Sequence, residues 1–197
     1  FLNIRKKLPF LPLSSVKVWL QFHIYAGWLS IGLFFVHLRG RFPDGSLETT
    51  LAVLFVIVAA SGIVGVFFSV ALPKRLTRRG EEVLFDRIPA FRDRLRKSAD
   101  ALIVRSASET DSTTLADFYV ARLKYLFDGP RDFFEHLFEM NLTQYALRSE
   151  IQSVRRYLND KEQDILDELA ELVTRKHDLD YHFTLQAALK GWLFVHI

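Results

Sequence analysis

Twenty-four consecutive residues, Thr49–Leu72, carry no formal charge, and the stretch Val16–Leu38 before them carries only Lys17, at its very start. Nothing else in the chain restricts its fold as strongly. A helix needs about 20 predominantly apolar residues to cross a bilayer, and both stretches meet that length. The first does not have the form of a cleaved signal peptide: it is long, contains Trp and His, and lacks a small-residue cleavage pattern. Between the two lies Phe42-Pro43-Asp44-Gly45, a turn signal, so an antiparallel helical hairpin is expected, with Pro73 ending its second helix.

The charge is unevenly placed. Residues 80–182 carry 15 Lys/Arg against 21 Asp/Glu, although the whole chain is formally +3. The basic excess therefore sits beside the apolar stretches, which suits membrane flanks and gives no sign of a nucleic-acid partner. Arg5, Lys6, Lys7 and Lys17 lie at or before the start of the first helix, and Lys74, Arg75, Arg78 and Arg79 follow the second. Only Arg39 and Arg41 stand in the connection. This bias predicts a multi-pass protein of the cell inner (cytoplasmic) membrane, with the N-terminus and the polar insert both cytoplasmic.

Four segments follow from this pattern: a cytoplasmic flank over 1–15, a transmembrane hairpin over 16–73, a soluble helical insert over 74–182, and the start of a third transmembrane helix over 183–197. Within the insert, Pro89 is expected to interrupt the first helical stretch, and Ser106–Thr114 to form a polar linker that caps the next helix. Asp128-Gly129-Pro130 is a further break. From Asp160 onward, Ile165, Leu166, Leu169, Leu172 and Val173 recur at helical spacing, which predicts an amphipathic helix. Because the chain begins at Phe1 without Met and ends inside an apolar run, we expect it to be part of a longer protein.

Two histidines, His23 and His37, stand fourteen residues apart in the first apolar stretch. Fourteen steps of about 100° return to nearly the same helix face, roughly 21 Å further along the axis. Ionisable side chains inside a membrane helix are costly and mark candidate functional sites. Imidazole is a common haem-iron ligand, so two on one stripe suit two stacked haems. Ala26, Gly27 and Ser30 follow His23 on its face, leaving small side chains where a macrocycle needs room. Ser61, Gly65 and Ser69, with Gly62 beside them, form a small-residue stripe on the second helix that suits close helix packing.

A short echo adds a third histidine. Trp19-Leu-Gln-Phe-His23-Ile is repeated in outline by Trp192-Leu-Phe-Val-His196-Ile. With a cytoplasmic insert, the third helix enters from the same side as the first, which puts His196 at a depth similar to that of His23.

Paired histidines about fourteen apart on each of two helices resemble those of di-haem membrane b-type cytochromes, such as cytochrome b of quinol–cytochrome c oxidoreductases and ferric-reductase-like membrane proteins. The resemblance covers Val16–Leu38 and Gly191–Ile197. It implies an all-α, multi-pass transmembrane bundle, a truncated four-helix di-haem core interrupted by the insert. It also implies two non-covalent b-type haems, with His23 and His196 ligating one iron and His37 supplying half of the other ligand set. The expected activity is electron transfer across the bilayer as a subunit of a larger oxidoreductase. The lipid bilayer and redox subunits are its partners, and quinone is a further candidate. The long insert departs from the cytochrome b pattern, and no Pro-Glu-Trp-Tyr run is present.

With no cysteine, thiolate-held clusters, covalently attached haem and disulfides are excluded. No P-loop, nucleophile elbow, HExxH or GxGxxG occurs. His177-Asp-Leu-Asp-Tyr-His182 has a spacing that fits no standard helical metal site. Two other classes remain open: a non-redox membrane anchor or scaffold, and a proton-linked transporter or sensor that uses the histidines.

Overall fold

The computed structural model describes residues 16–41, 43–77, 83–110, 112–140 and 142–196. The fold is all-helical, 87% helix without strands among the described residues. Among the described residues seven α-helices follow one another: α1 (Val16–Leu38), α2 (Ser46–Leu76), α3 (Ile88–Glu109), α4 (Thr114–Phe118), α5 (Phe133–Phe138), α6 (Leu142–Arg155) and α7 (Asp160–His196). The flank 1–15, with Arg5, Lys6 and Lys7, lies outside the described residues, as do Phe42, Arg78, Arg79 and Ile197. The chain divides into two compact units, one of residues 1–69 and 196–197, the other of residues 70–195.

In the first unit, α1 and the first six turns of α2 are joined by a short connection. Arg39 and Gly40 adopt left-handed backbone there (φ 50° and 72°), and the Arg41 amide donates to Leu38 O at 2.9 Å. Phe34 of α1 stacks on Phe55 of α2, with centroids 4.2 Å apart and planes 23° from parallel. Both helices are long and apolar enough to cross a membrane. Apolar helices in the core of a water-soluble domain would be mostly buried. Here none of the α1 apolar window is buried and only 6% of the α2 window is. Phe22, Tyr25, Trp28, Leu29 and Phe35 on α1, and Leu51, Ile57, Val58 and Phe67 on α2, all face outward. An apolar surface of that extent calls for lipid or further helices to cover it.

Pro73 does not end α2. The helix continues to Leu76, and the Thr77 amide still donates to Pro73 O at 3.2 Å. A proline this close to the helix end removes a single backbone donor. Burial of Leu72 and Leu76 outweighs that loss.

The second unit holds its core between α3, the α4 region, α6 and α7. Ala99 and Ile103 meet Leu115, Tyr119, Leu123, Leu126 and Phe127 there, along with Ile165, Leu166, Leu169 and Val173 of α7. Pro89 lies in the first turn of α3, where its missing N–H has no intrahelical partner to lose, so it opens the helix where an interruption was expected. α3 also runs further than expected, through Glu109. Ser106 and Thr110 are buried, and both the Thr110 amide (3.0 Å) and its hydroxyl (2.8 Å) donate to Ser106 O.

α7 begins at Asp160 as its pattern predicts, with Ile165, Leu166, Leu169 and Val173 buried. A reciprocal cap starts it: the Glu162 amide donates to Asn159 Oδ1 at 2.9 Å, and the Asn159 amide to Glu162 Oε2 at 3.2 Å. The helix then runs 37 residues to His196 without a break, about 55 Å at 1.5 Å per residue. Neither Pro nor Gly occurs in it before Gly191, so nothing in the backbone marks the expected boundary at 182/183.

Candidate functional site

His196 ends α7 and belongs to the same compact unit as α1 and the first six turns of α2. Its ring centroid lies 6.1 Å from that of His23, and the two planes are 80° apart. Two imidazoles bound to one metal from opposite sides, each by a bond of about 2 Å with about 1 Å more to its ring centre, have centroids about 6 Å apart. The separation of the His23 and His196 rings therefore has the size of two imidazoles that share one metal. That is the ligation haem iron takes in bis-His proteins.

The His196 ring is also held from α2. Ser61 Oγ stands 3.0 Å from His196 Nδ1. A Cβ built on Gly62 would lie 3.7 Å from His196 Cε1, so the ring passes close over the bare glycine. Both residues are half-buried, whereas His23 is exposed. Ser61 and Gly62 belong to the stripe that the sequence pattern assigns to helix packing. Nothing in their spacing distinguishes packing against a helix from packing against an imidazole.

The other expected contacts are less committed. Around Gly27 there is open space, with nothing within 4 Å of the place a Cβ would take. The Ser30 hydroxyl donates to Ala26 O at 2.8 Å, a local bond that leaves it turned to its own backbone. His37 is exposed fourteen residues further along α1, and the described residues bring no second histidine to it.

The remaining histidines lie in the second unit. His136 of α5 and His177 of α7 have ring centroids 4.6 Å apart, and His136 also meets the edge of Tyr181 at 6.0 Å. No group of three or more His, Asp or Glu able to hold a metal occurs among the described residues. Two polar constellations, the second of them buried, organise this region. Arg75, in the last turn of α2, donates to Leu137 O and His136 O, both at 2.8 Å, and pairs with Glu139 at 2.8 Å. Its guanidinium thus caps the C-terminal carbonyls of α5, where a cation is favoured by the helix dipole. Lys176 bonds Asp180 one turn on and donates to Gly129 O at 2.9 Å. The Arg131 amide donates to the same Asp180 carboxylate at 3.3 Å. Together these tie the Gly129–Arg131 turn to α7. Burial pushes the Asp180 carboxyl up to about 6 despite the ammonium beside it, and burial likewise lowers Lys176.

Comparison with known protein families, with curated proteins and with solved structures finds no match to this chain.

Proposed function

We propose that this chain is an electron-transfer subunit of the cell inner membrane, carrying electrons across the bilayer through two non-covalent b-type haems as part of a larger oxidoreductase. The observation that carries it is the 6.1 Å separation of the His23 and His196 rings, in a unit whose helices have the length and composition to cross a membrane. His23 and His196 hold one haem from opposite sides. His37, fourteen residues further along α1, supplies half of the ligand set of the second. A reversible one-electron change at iron is what haem contributes. The protein fixes the axial ligands, excludes water through its apolar helix faces and leaves room at Gly27 beside the His23 turn. In this reading the hairpin and the part of α7 after 182 span the bilayer, with the insert on the cytoplasmic side.

The test is the reduced-minus-oxidised absorption spectrum of the detergent-solubilised protein. Low-spin b-type bands are expected. His23→Leu or His196→Leu should each remove the same haem, and His37→Leu should affect only the other. A colourless protein overturns the proposal. A His37→Leu variant that keeps both haems overturns the assignment of that residue.

A further inference from the structure

The ring nitrogens of His196 are not equivalent. Nδ1 faces the Ser61 hydroxyl at 3.0 Å, and Cε1 lies over Gly62. A neutral imidazole carries its proton on one nitrogen and a lone pair on the other, and the partner at one nitrogen decides which. If the serine O–H donates to Nδ1, the proton sits on Nε2 and that nitrogen has no lone pair to offer a metal. If Nδ1–H donates to Ser61 Oγ, the lone pair lies on Nε2, the nitrogen a metal would take. A hydroxyl can do either, because it is both donor and acceptor.

We propose that Ser61 is a positioning residue for the haem held by His23 and His196: it accepts the His196 Nδ1 proton and so presents Nε2 to the iron. This rests on the haem reading above and adds to it a specific second-layer contact on α2. Metal-bound histidines almost always donate their other ring N–H to an acceptor, which fixes the tautomer and ring orientation and raises ligand basicity. Gly62 serves the same end sterically. With the ring edge 3.7 Å from its would-be Cβ, one methyl is tolerated, but a branched or aromatic side chain would drive the ring off α2. His23 has no comparable hydroxyl among the described residues. The two axial ligands are therefore held unequally, and His196 is the one whose orientation α2 dictates.

The isosteric pair Ser61→Thr and Ser61→Val isolates the hydroxyl, since the two side chains have the same shape and differ only in that group. Redox titration of the purified, haem-loaded chain, followed optically for each haem, gives the readout, with haem retention measured alongside. Ser61→Thr should match the parent. Ser61→Val should raise the midpoint potential of one haem alone, because a less basic imidazole stabilises the oxidised iron less. It should also weaken retention of that haem by roughly 10- to 100-fold. The other haem should be unmoved, which a general folding defect would not achieve. Equal potentials and equal retention in the Thr and Val variants of a haem-loaded protein overturn the role of Ser61 and leave the haem reading standing. A parent protein without haem overturns both.

Discussion

Replacing Lys176 with methionine separates two accounts of the buried ion pair in the second unit. In one, the pair stabilises the fold outright; in the other, each charge is there to neutralise its partner. Both side chains are nearly fully buried, at 4% and 7% exposure. After Lys176→Met the Asp180 carboxylate keeps only the Arg131 amide, and Gly129 O loses its donor. The lost hydrogen bond to Gly129 costs about 1–2 kcal/mol at any pH. The stranded charge adds a cost that depends on pH. In the parent the carboxyl titrates at about 6, above its ordinary 3.8, because burial opposes its ionisation. The folded parent thus holds a proton that the unfolded chain has released. Its stability falls as pH rises from 3.8 to 6 and levels off above. Without the ammonium the carboxyl stays protonated to higher pH, so the fall continues past 6 at about 1.4 kcal/mol per pH unit.

The destabilisation by Lys176→Met should therefore grow from about 1–2 kcal/mol at pH 5 to about 4 kcal/mol at pH 8. The double variant Lys176→Met/Asp180→Leu should return to within about 1 kcal/mol of the parent, since it leaves no buried charge. Urea unfolding of the detergent-solubilised chain, followed by far-ultraviolet circular dichroism at both pH values, measures all three. A Lys176→Met cost that is the same at pH 5 and pH 8, or a double variant no more stable than Lys176→Met at pH 8, refutes the reasoning.

Two further expectations rest on other contacts. Arg75→Lys keeps the charge but cannot span Leu137 O, His136 O and Glu139 at once; it should cost about 2–3 kcal/mol in the same unfolding assay, and equal stability would mean that the cap on α5 is dispensable. Asn159→Ala breaks the reciprocal cap of α7 and should cost about 1 kcal/mol, with faster amide hydrogen exchange confined to the first turn; unchanged exchange at Glu162 would show that the cap is not formed.

The apolar helices were legible because twenty uncharged residues leave few alternatives, and the inward face of α7 because its leucines keep a helical period. Helix ends were harder to read. Pro73 and Pro89 carry the same local signal, yet one sits inside α2 and the other opens α3. Burial beside the proline does not separate them, since Leu72 and Leu76 flank the first and Ile88 adjoins the second, all three buried. α5 had no end signal at all, because Asp132 and Glu139 take the left-handed conformations (φ 55° and 56°) where glycine is usual. Glu139 is needed at that place for its carboxylate, which pairs with Arg75. Arg75 illustrates the limit of counting charges, since a residue expected as a membrane flank is committed to capping a helix. At the candidate site the Trp-x-x-x-His echo singled out His23 and His196, whose rings do lie together. The Ser61 contact joins residues 135 apart, and no local pattern encodes such a pairing.

The distance in sequence between His23 and His196 also sets a timetable for synthesis. At about 5–20 residues per second, His23 leaves the ribosome some 10–30 seconds before His196 exists. During that interval α1 and α2 exist without the ring that packs beside His23 and Ser61, so the pair forms only after the whole intervening unit has been translated. A chain that stalls or is cleaved anywhere between the two histidines keeps both apolar helices and lacks that contact; in the haem reading proposed above, such a chain would hold its haem from one side only.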